Sequence, residues 1–218
     1  MEVFDYSDLR RTRVVEEEIF GPSVLFEQEP GHEMAGGYIS DGAYAELLDK
    51  TVIVCADVVF YDPLVKTIYL ATRRNLPMRG LWWIGGRVHA GETSLGAIQR
   101  IVQRETGLRL DSWRLASLNW MPRYHWSERQ QEPRRAGSDN LCFMFKAQIS
   151  PLEAMSAWSG LDANEYIKGA GLLAYTRSDL SELLDAGRLH PVIWQVYNEI
   201  FPSRITRIRN RLAGVIAG

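Results

Sequence analysis

Hydrophobic and polar positions alternate along residues 41–200 in a way that predicts both strands and helices. Valine-rich Thr51–Phe60 is typical of a buried strand, and Lys66–Thr72 is expected to return beside it across Asp62-Pro63. Three more segments have strand-like patterns: Arg109–Trp120, Asn140–Ile149 and Gly171–Tyr175. Helical patterns cover Asp41–Lys50, Thr93–Thr106, Ser178–Ala186 and His190–Ile200. This order predicts an α/β (α+β) domain in which a mixed sheet lies between helices.

The helix predicted over Thr93–Thr106 has the clearest pattern. Its apolar residues form one stripe, made of Leu95, Ala97, Ile98, Ile101 and Val102. Thr93 or Ser94 can cap its first turn, and Gly107 can end it in a left-handed conformation. Residues 85–92 precede it and are expected to form a glycine-rich turn. Such a turn places backbone N–H groups and carbonyls beside a helix, an arrangement that suits a phosphate group.

The segments outside this pattern are expected to be irregular or peripheral. Residues 1–40 are predicted to be an irregular N-terminal arm. Residues 201–218 are expected to contain a basic amphipathic helix over Ile205–Ile216, with either a solvated face or a dimer-packing face. The polar stretch 122–138 is predicted to be a loop. A loop of that length inside a domain is usually functional or mobile, and its Tyr124-His125-Trp126 cluster favours contact with a nucleobase or sugar over packing.

Composition narrows the classes of partner. The 218 residues are 46% hydrophobic, enough for one sizeable core, and the net charge of −2 provides no basic field for nucleic acid. No apolar run approaches membrane-spanning length, and Met1–Arg10 lacks a signal-peptide pattern. Cys55 and Cys142 both lie in apolar, strand-like runs and are expected to be buried free thiols. These features predict a cytoplasmic protein without nucleic-acid or membrane partners, and leave a homodimer as an open alternative.

The segment 86–108 resembles the Nudix box, G-x5-E-x7-R-E-U-x-E-E-x-G-U, in which U is aliphatic. Seven positions match at the fixed offsets: Gly86, Glu92, Arg100, Val102, Glu105, Gly107 and Leu108. Two positions differ. Ile101 stands where the pattern has the glutamate that usually activates water, and Arg104 stands where it has the first glutamate of the metal-binding pair. The resemblance implies the Nudix fold, a mixed sheet sandwiched between helices.

One Nudix branch, the GDP-mannose mannosyl hydrolases, departs from the box at the same two positions. The segment 70–80 and Gly107-Leu-Arg-Leu110 are also similar to that branch. By this resemblance, Arg73 and Arg87 would grip a diphosphate with help from Arg100, and Asp57 would steady the sugar or an arginine. The metal ligands would be Glu105, a loop carbonyl at Gly86 and Glu92, holding one Mg²⁺. Glu92 could equally cap the loop. The proton acceptor stays open between Glu165 and a residue of the 122–138 loop such as His125.

Three functions are consistent with these residues. The first is a Mg²⁺-dependent hydrolase of a nucleoside diphosphate sugar, GDP-mannose-like, that cleaves at the anomeric carbon with diphosphate as the leaving group. The second is a catalytically inactive Nudix module that binds a nucleotide or nucleotide sugar. The third is an ordinary Nudix pyrophosphohydrolase that recruits carboxylates from outside the box. The two missing box carboxylates favour the first over the third, because attack on phosphorus requires a metal-activated water.

Overall fold

The computed structural model describes residues 13–14, 26–27, 34, 39–118, 120–167 and 172–202. The strands are β1 (Arg13–Val14), β2 (Phe26–Glu27), β3 (Val52–Asp62), β4 (Thr67–Arg73), β5 (Gly80–Trp82), β6 (Ile84–Arg87), β7 (Leu115–Ser117), β8 (Arg123–Trp126), β9 (Ser138–Gln148) and β10 (Leu172–Tyr175). The α-helices are α1 (Asp41–Lys50), α2 (Ser94–Thr106), α3 (Pro151–Gly160), α4 (Arg177–Asp185) and α5 (Pro191–Ile200). β1 and β2 pair with each other, and the other strands form one mixed sheet.

Two long strands form the centre of this sheet. β3 and β9 run parallel and pair from Val52 and Asp139 to Tyr61 and Gln148. The other edge of β3 pairs with β6 over residues 55–58 and with β4 over residues 60–62. The outer edge of β9 is likewise shared, by β8 over residues 138–141 and by β7 over residues 145–147. The sheet therefore has two halves. β6 and β8 flank the earlier parts of β3 and β9, and β4 and β7 flank the later parts.

Helices cover both faces of the sheet. On one face, α2 and α3 pack against the sheet through a core that includes Ile98, Ile101 and Ala157. On the other face, α4 and α5 contribute Leu180 and Ile193 to a second core. The predicted fold class, a mixed sheet between helices, is confirmed. The predicted caps of α2 are also present, because the Thr93 hydroxyl accepts a hydrogen bond from the Gly96 N–H and Gly107 has a φ of 72°.

Several predicted elements have other bounds or another conformation. Among the described residues of the predicted strand 109–120, Leu115–Ser117 form a strand and residues 112–114 form a 3₁₀ turn. The loop prediction for 122–138 was wrong at Arg123–Trp126, which pairs with the free edge of β9. The turn prediction for 85–92 was wrong at its start, because residues 84–87 are strand β6. Helix α3 was not predicted at all, although Ser150 and Glu153 form a capping box at its start.

Other predictions concern residues that the structure describes only in part. The expected C-terminal helix at Ile205–Ile216 lies outside the described residues, as does most of the predicted arm 1–40. The domain limits therefore stay predictions. Cys55 and Cys142 are buried free thiols, as expected. Among the described helices, none combines the length and the apolar character that crossing a membrane requires.

Candidate active site

An open pocket of about 520 Å³ lies over the half of the sheet to which β6 and β8 belong. The candidate proton acceptor Glu165 lines it, together with five residues predicted to bind diphosphate, sugar or metal: Asp57, Arg73, Gly86, Arg87 and Glu105. They come from β3, β4, β6 and the last turn of α2. The other three predicted residues, Glu92, Arg100 and His125, are not among its lining residues. Residues distant in sequence thus meet here because β4, β6 and α2 all pack beside β3.

Asp57 is a buried carboxylate in the floor of this pocket. Only 5% of the residue is exposed, and its Oδ2 accepts a hydrogen bond of 2.9 Å from the Trp83 indole N–H. Asp57 pairs with Gly85 across β3 and β6, and a Cβ on residue 85 would lie 1.9 Å from Asp57 Oδ1. Glycine at position 85 therefore makes room for the carboxylate. Burial raises the pKa of Asp57 to about 6, although the Trp83 hydrogen bond and the charge of Arg73 act to lower it.

Arg73 and Arg87 both present guanidinium groups to the pocket. Arg73 Nη2 lies 3.4 Å from Glu165 Oε2, and its buried Nε–H has no hydrogen-bond partner among the described residues. The Arg87 guanidinium lies over the Tyr44 ring of α1, with Cζ 3.9 Å from the ring centroid. In the part of the chain that the structure describes, no carboxylate lies within 4 Å of the Arg87 side chain. Both arginines therefore retain N–H donors that a bound anion could use.

Glu92 and Arg100 form an ion pair beneath the loop between β6 and α2. Arg100 donates through Nε to Glu92 Oε1 and through Nη2 to Glu92 Oε2, at 2.8 Å for the second contact. The same Nη2 donates to the Arg87 carbonyl at 3.0 Å, and the His89 N–H donates to Glu92 Oε2 at 2.8 Å. Burial acts to raise the pKa of Glu92, but these hydrogen bonds hold it below its ordinary value. In this arrangement the pair braces the loop.

The predicted Mg²⁺ ligands do not form a metal site in this arrangement. Glu105 is 4% exposed, and it accepts hydrogen bonds from Arg104 Nη2 at 2.6 Å on Oε1 and from the Tyr166 hydroxyl at 2.5 Å on Oε2. Glu92 is bound by Arg100. Throughout the described residues, no group of three or more His, Cys, Asp or Glu side chains could hold a metal ion. Mg²⁺ is usually held by one or two carboxylates beside substrate phosphates, and here both predicted carboxylates accept hydrogen bonds from arginines instead.

Aromatic side chains form one wall of the pocket. Tyr124 and Trp126 are stacked, with ring centroids 5.0 Å apart, and Trp82 meets both rings edge-on at 5.8 Å. The Tyr124 hydroxyl is buried and has no partner within the described ranges. His125, between the two aromatic residues, faces away. Its side chain is 75% exposed and its Nε2 lies 3.5 Å from Asp139 Oδ2, so the structure does not place His125 in the predicted substrate site.

Some residues of the site were missed by sequence reasoning. Arg104 lines the pocket, and Tyr166 holds the carboxylate of Glu105 from outside the box. Arg129, 1% exposed, ties the segment after β8 to α1 through a 2.6 Å ion pair with Asp49. The Tyr-x-Trp alternation at 124–126 was a usable signal, because every second residue of a strand faces the same side. The partner of Arg129 carries no local signal, since it lies 80 residues away.

No protein-family model matches this chain, and no curated protein matches it. Solved structures with a partly similar backbone include a NUDIX hydrolase from Nitrosomonas europaea, 17% identical over 69% of this chain and 88% of that chain, with a TM-score of 0.47. A MutT NUDIX hydrolase from Burkholderia pseudomallei is 18% identical over 60% of this chain and 88% of that one, with a TM-score of 0.46. The MutT protein from Methanosarcina mazei Go1 is 14% identical over 69% and 94%, with a TM-score of 0.45. Similarities of this size carry no information on function.

Proposed function

We propose that this protein is a Nudix-type hydrolase of nucleoside diphosphate sugars that cleaves at the anomeric carbon, with the nucleoside diphosphate as leaving group. One observation carries the proposal: the free guanidinium donors of Arg73 and Arg87 share a pocket with the aromatic wall of Trp82, Tyr124 and Trp126. Guanidinium groups suit a diphosphate, and aromatic rings suit the flat face of a nucleobase. The resemblance of segment 86–108 to the Nudix box supports the same class of substrate.

In the proposed reaction, the positive charge of the arginines stabilises the negative charge that develops on the leaving group. A water oxygen adds to the anomeric carbon, the bond from that carbon to the diphosphate oxygen breaks, and the bonding electrons stay with the diphosphate. Donors fixed where negative charge develops stabilise this transition state. Glu165 and His89 both line the pocket, and either can accept the proton from water. No step of this proposal passes through Mg²⁺, because the predicted ligands Glu105 and Glu92 are bound by arginines.

A catalytically inactive binding module is the second candidate. It is favoured by the 3.4 Å ion pair between Arg73 and Glu165, which gives this candidate proton acceptor a structural role in the pocket. The same pocket would then bind a nucleotide or nucleotide sugar without turning it over. Attack on phosphorus, as in an ordinary pyrophosphohydrolase, needs several carboxylates around metal ions. Four carboxylates line this pocket, Asp57, Glu105, Asp162 and Glu165, but among the described residues no three of them form a group that could hold a metal ion.

Product analysis separates these functions. The protein is incubated with GDP-mannose and with other purine and pyrimidine nucleotide sugars, and the products are resolved by anion-exchange chromatography. We expect a nucleoside diphosphate and a free sugar. Nucleoside monophosphate with sugar phosphate would contradict the proposal, and binding without any product would favour the inactive module. The Arg73→Ala/Arg87→Ala double variant is the matched inactive control, and Arg188→Ala, at an exposed position after α4, should leave the products unchanged.

A further inference from the structure

Arg104 occupies the position between two groups that the sequence assigns to a metal. Its Nη2 donates to Glu105 Oε1 at 2.6 Å. The same nitrogen would lie 3.7 Å from a Cβ built on Gly86. Glu105 and Gly86 are the two predicted metal ligands that line the pocket, and Arg104 lines it with them. The guanidinium therefore contacts the Glu105 carboxylate and lies close to Gly86.

Glu105 has its negative charge satisfied without a metal. One carboxylate oxygen is bound by Arg104 and the other by the Tyr166 hydroxyl. Tyr166 is 1% exposed, and its backbone forms a bridge to Arg73, so it cannot easily leave the carboxylate. A divalent ion at Glu105 would have to displace the guanidinium or lie beside its positive charge. Each alternative opposes metal binding at this position.

Arg104 also has donors to offer a ligand. A guanidinium carries five N–H groups in a planar fork that matches phosphate oxygens, and the Arg104 side chain is 58% exposed. Its contact with Glu105 fixes one end of the fork. This exposed guanidinium belongs to the pocket that Arg73 and Arg87 also line. Three guanidinium groups from β4, β6 and α2 thus surround the same space.

We propose that the positively charged guanidinium of Arg104 takes the place of a divalent metal ion in this site. Together with Arg73 and Arg87 it holds the diphosphate of a nucleotide, so that binding requires no metal. The ligand class rests on the proposed function. The chain is expected to bind nucleoside diphosphates equally well with and without Mg²⁺. This property would follow from the arginine at position 104, where the Nudix box has a glutamate.

The test measures the binding of GDP, ADP, UDP and CDP by isothermal titration calorimetry, in EDTA and in excess Mg²⁺. For the parent protein we expect the same dissociation constant in both buffers, to within about threefold for the nucleotide that binds best. Arg104→Glu places two carboxylates side by side. It should weaken binding in EDTA by about 100-fold or more and regain part of that loss in Mg²⁺. Arg188→Glu makes the same charge change at an exposed position outside the pocket and should bind like the parent.

Arg104→Gln provides a second variant in case the charge reversal disturbs folding, which circular dichroism will show. It should weaken binding by about tenfold or more in both buffers and gain no Mg²⁺ dependence. Binding by the parent only in the presence of Mg²⁺ would overturn the proposal, as would unchanged affinity in both Arg104 variants. If nucleoside diphosphates bind only with Mg²⁺ but nucleotide sugars are still cleaved at the anomeric carbon, the proposed site of cleavage stands and this inference fails. Metal-independent binding without cleavage would leave the inference standing and refute the hydrolase.

Discussion

Asp57→Asn should stabilise the protein at neutral and alkaline pH. The pKa of Asp57 is raised from 3.8 to about 6 because the carboxyl group is buried. A group whose pKa is higher in the folded state than in the unfolded state favours folding when it is protonated. This stabilisation is lost as the pH rises from the pKa of the unfolded state through the pKa of the folded state. A difference of about two pKa units corresponds to about 3 kcal/mol, which the charged carboxylate costs the folded state at high pH. Asparagine removes this cost and can still accept the Trp83 hydrogen bond.

Urea denaturation of the parent and of Asp57→Asn at several pH values measures this effect. The advantage of the variant in the free energy of unfolding should grow by roughly 2 kcal/mol between about pH 4.5 and about pH 8. Asp111→Asn, at an exposed position before the 3₁₀ turn, is the matched control and should show no such growth. A constant difference across this pH range, or an Asp57→Asn variant less stable than the parent at about pH 8, would refute the reasoning.

Three further predictions follow from the site. Arg73→Ala and Arg87→Ala should each weaken nucleoside diphosphate binding, measured by calorimetry, by about 1.5–3 kcal/mol. Unchanged affinity in both variants would show that these arginines do not bind the diphosphate. Glu92→Ala should lower the free energy of unfolding by about 1–2 kcal/mol in urea, because it leaves the Arg100 guanidinium without its carboxylate, and an unchanged unfolding midpoint would argue against a bracing role. Tyr124→Phe should raise the free energy of unfolding by about 1 kcal/mol, because it removes a buried hydroxyl that has no partner, and a loss of stability would show that the hydroxyl is satisfied.

Sequence reasoning identified the parts of the fold whose signals are local. The stripe of α2, its Thr93 cap and its Gly107 terminus all lie within fifteen residues, and the structure has each of them. Strand β8 was missed because it is stabilised by pairing with β9 and by packing of Tyr124 against Trp82. Neither contact can be predicted from the polar sequence of this segment. Strand β6 was missed because glycine-rich segments are typical of turns. At position 85, glycine instead accommodates the Asp57 carboxylate.

In the site, as in the fold, contacts between residues distant in sequence could not be predicted. The box spacing indicated Glu105, the resemblance to one Nudix branch implied Arg73 and Arg87, and all three line one pocket. Their partners could not be predicted, because Tyr166 reaches Glu105 across 61 positions of sequence. The sequence also showed an arginine at position 104 without showing where its guanidinium points. That direction decides whether Glu105 is free for a metal.

The position of bond cleavage tests the central claim most directly. The protein is incubated with the best-binding nucleotide sugar in oxygen-18 water, and both products are examined by mass spectrometry before the label can exchange. Because the arginines can stabilise a departing diphosphate and already bind the carboxylates Glu92 and Glu105, the label should enter the free sugar and the nucleoside diphosphate should carry none. Oxygen-18 on a phosphorus atom of either product would place the attack on phosphorus and contradict the account.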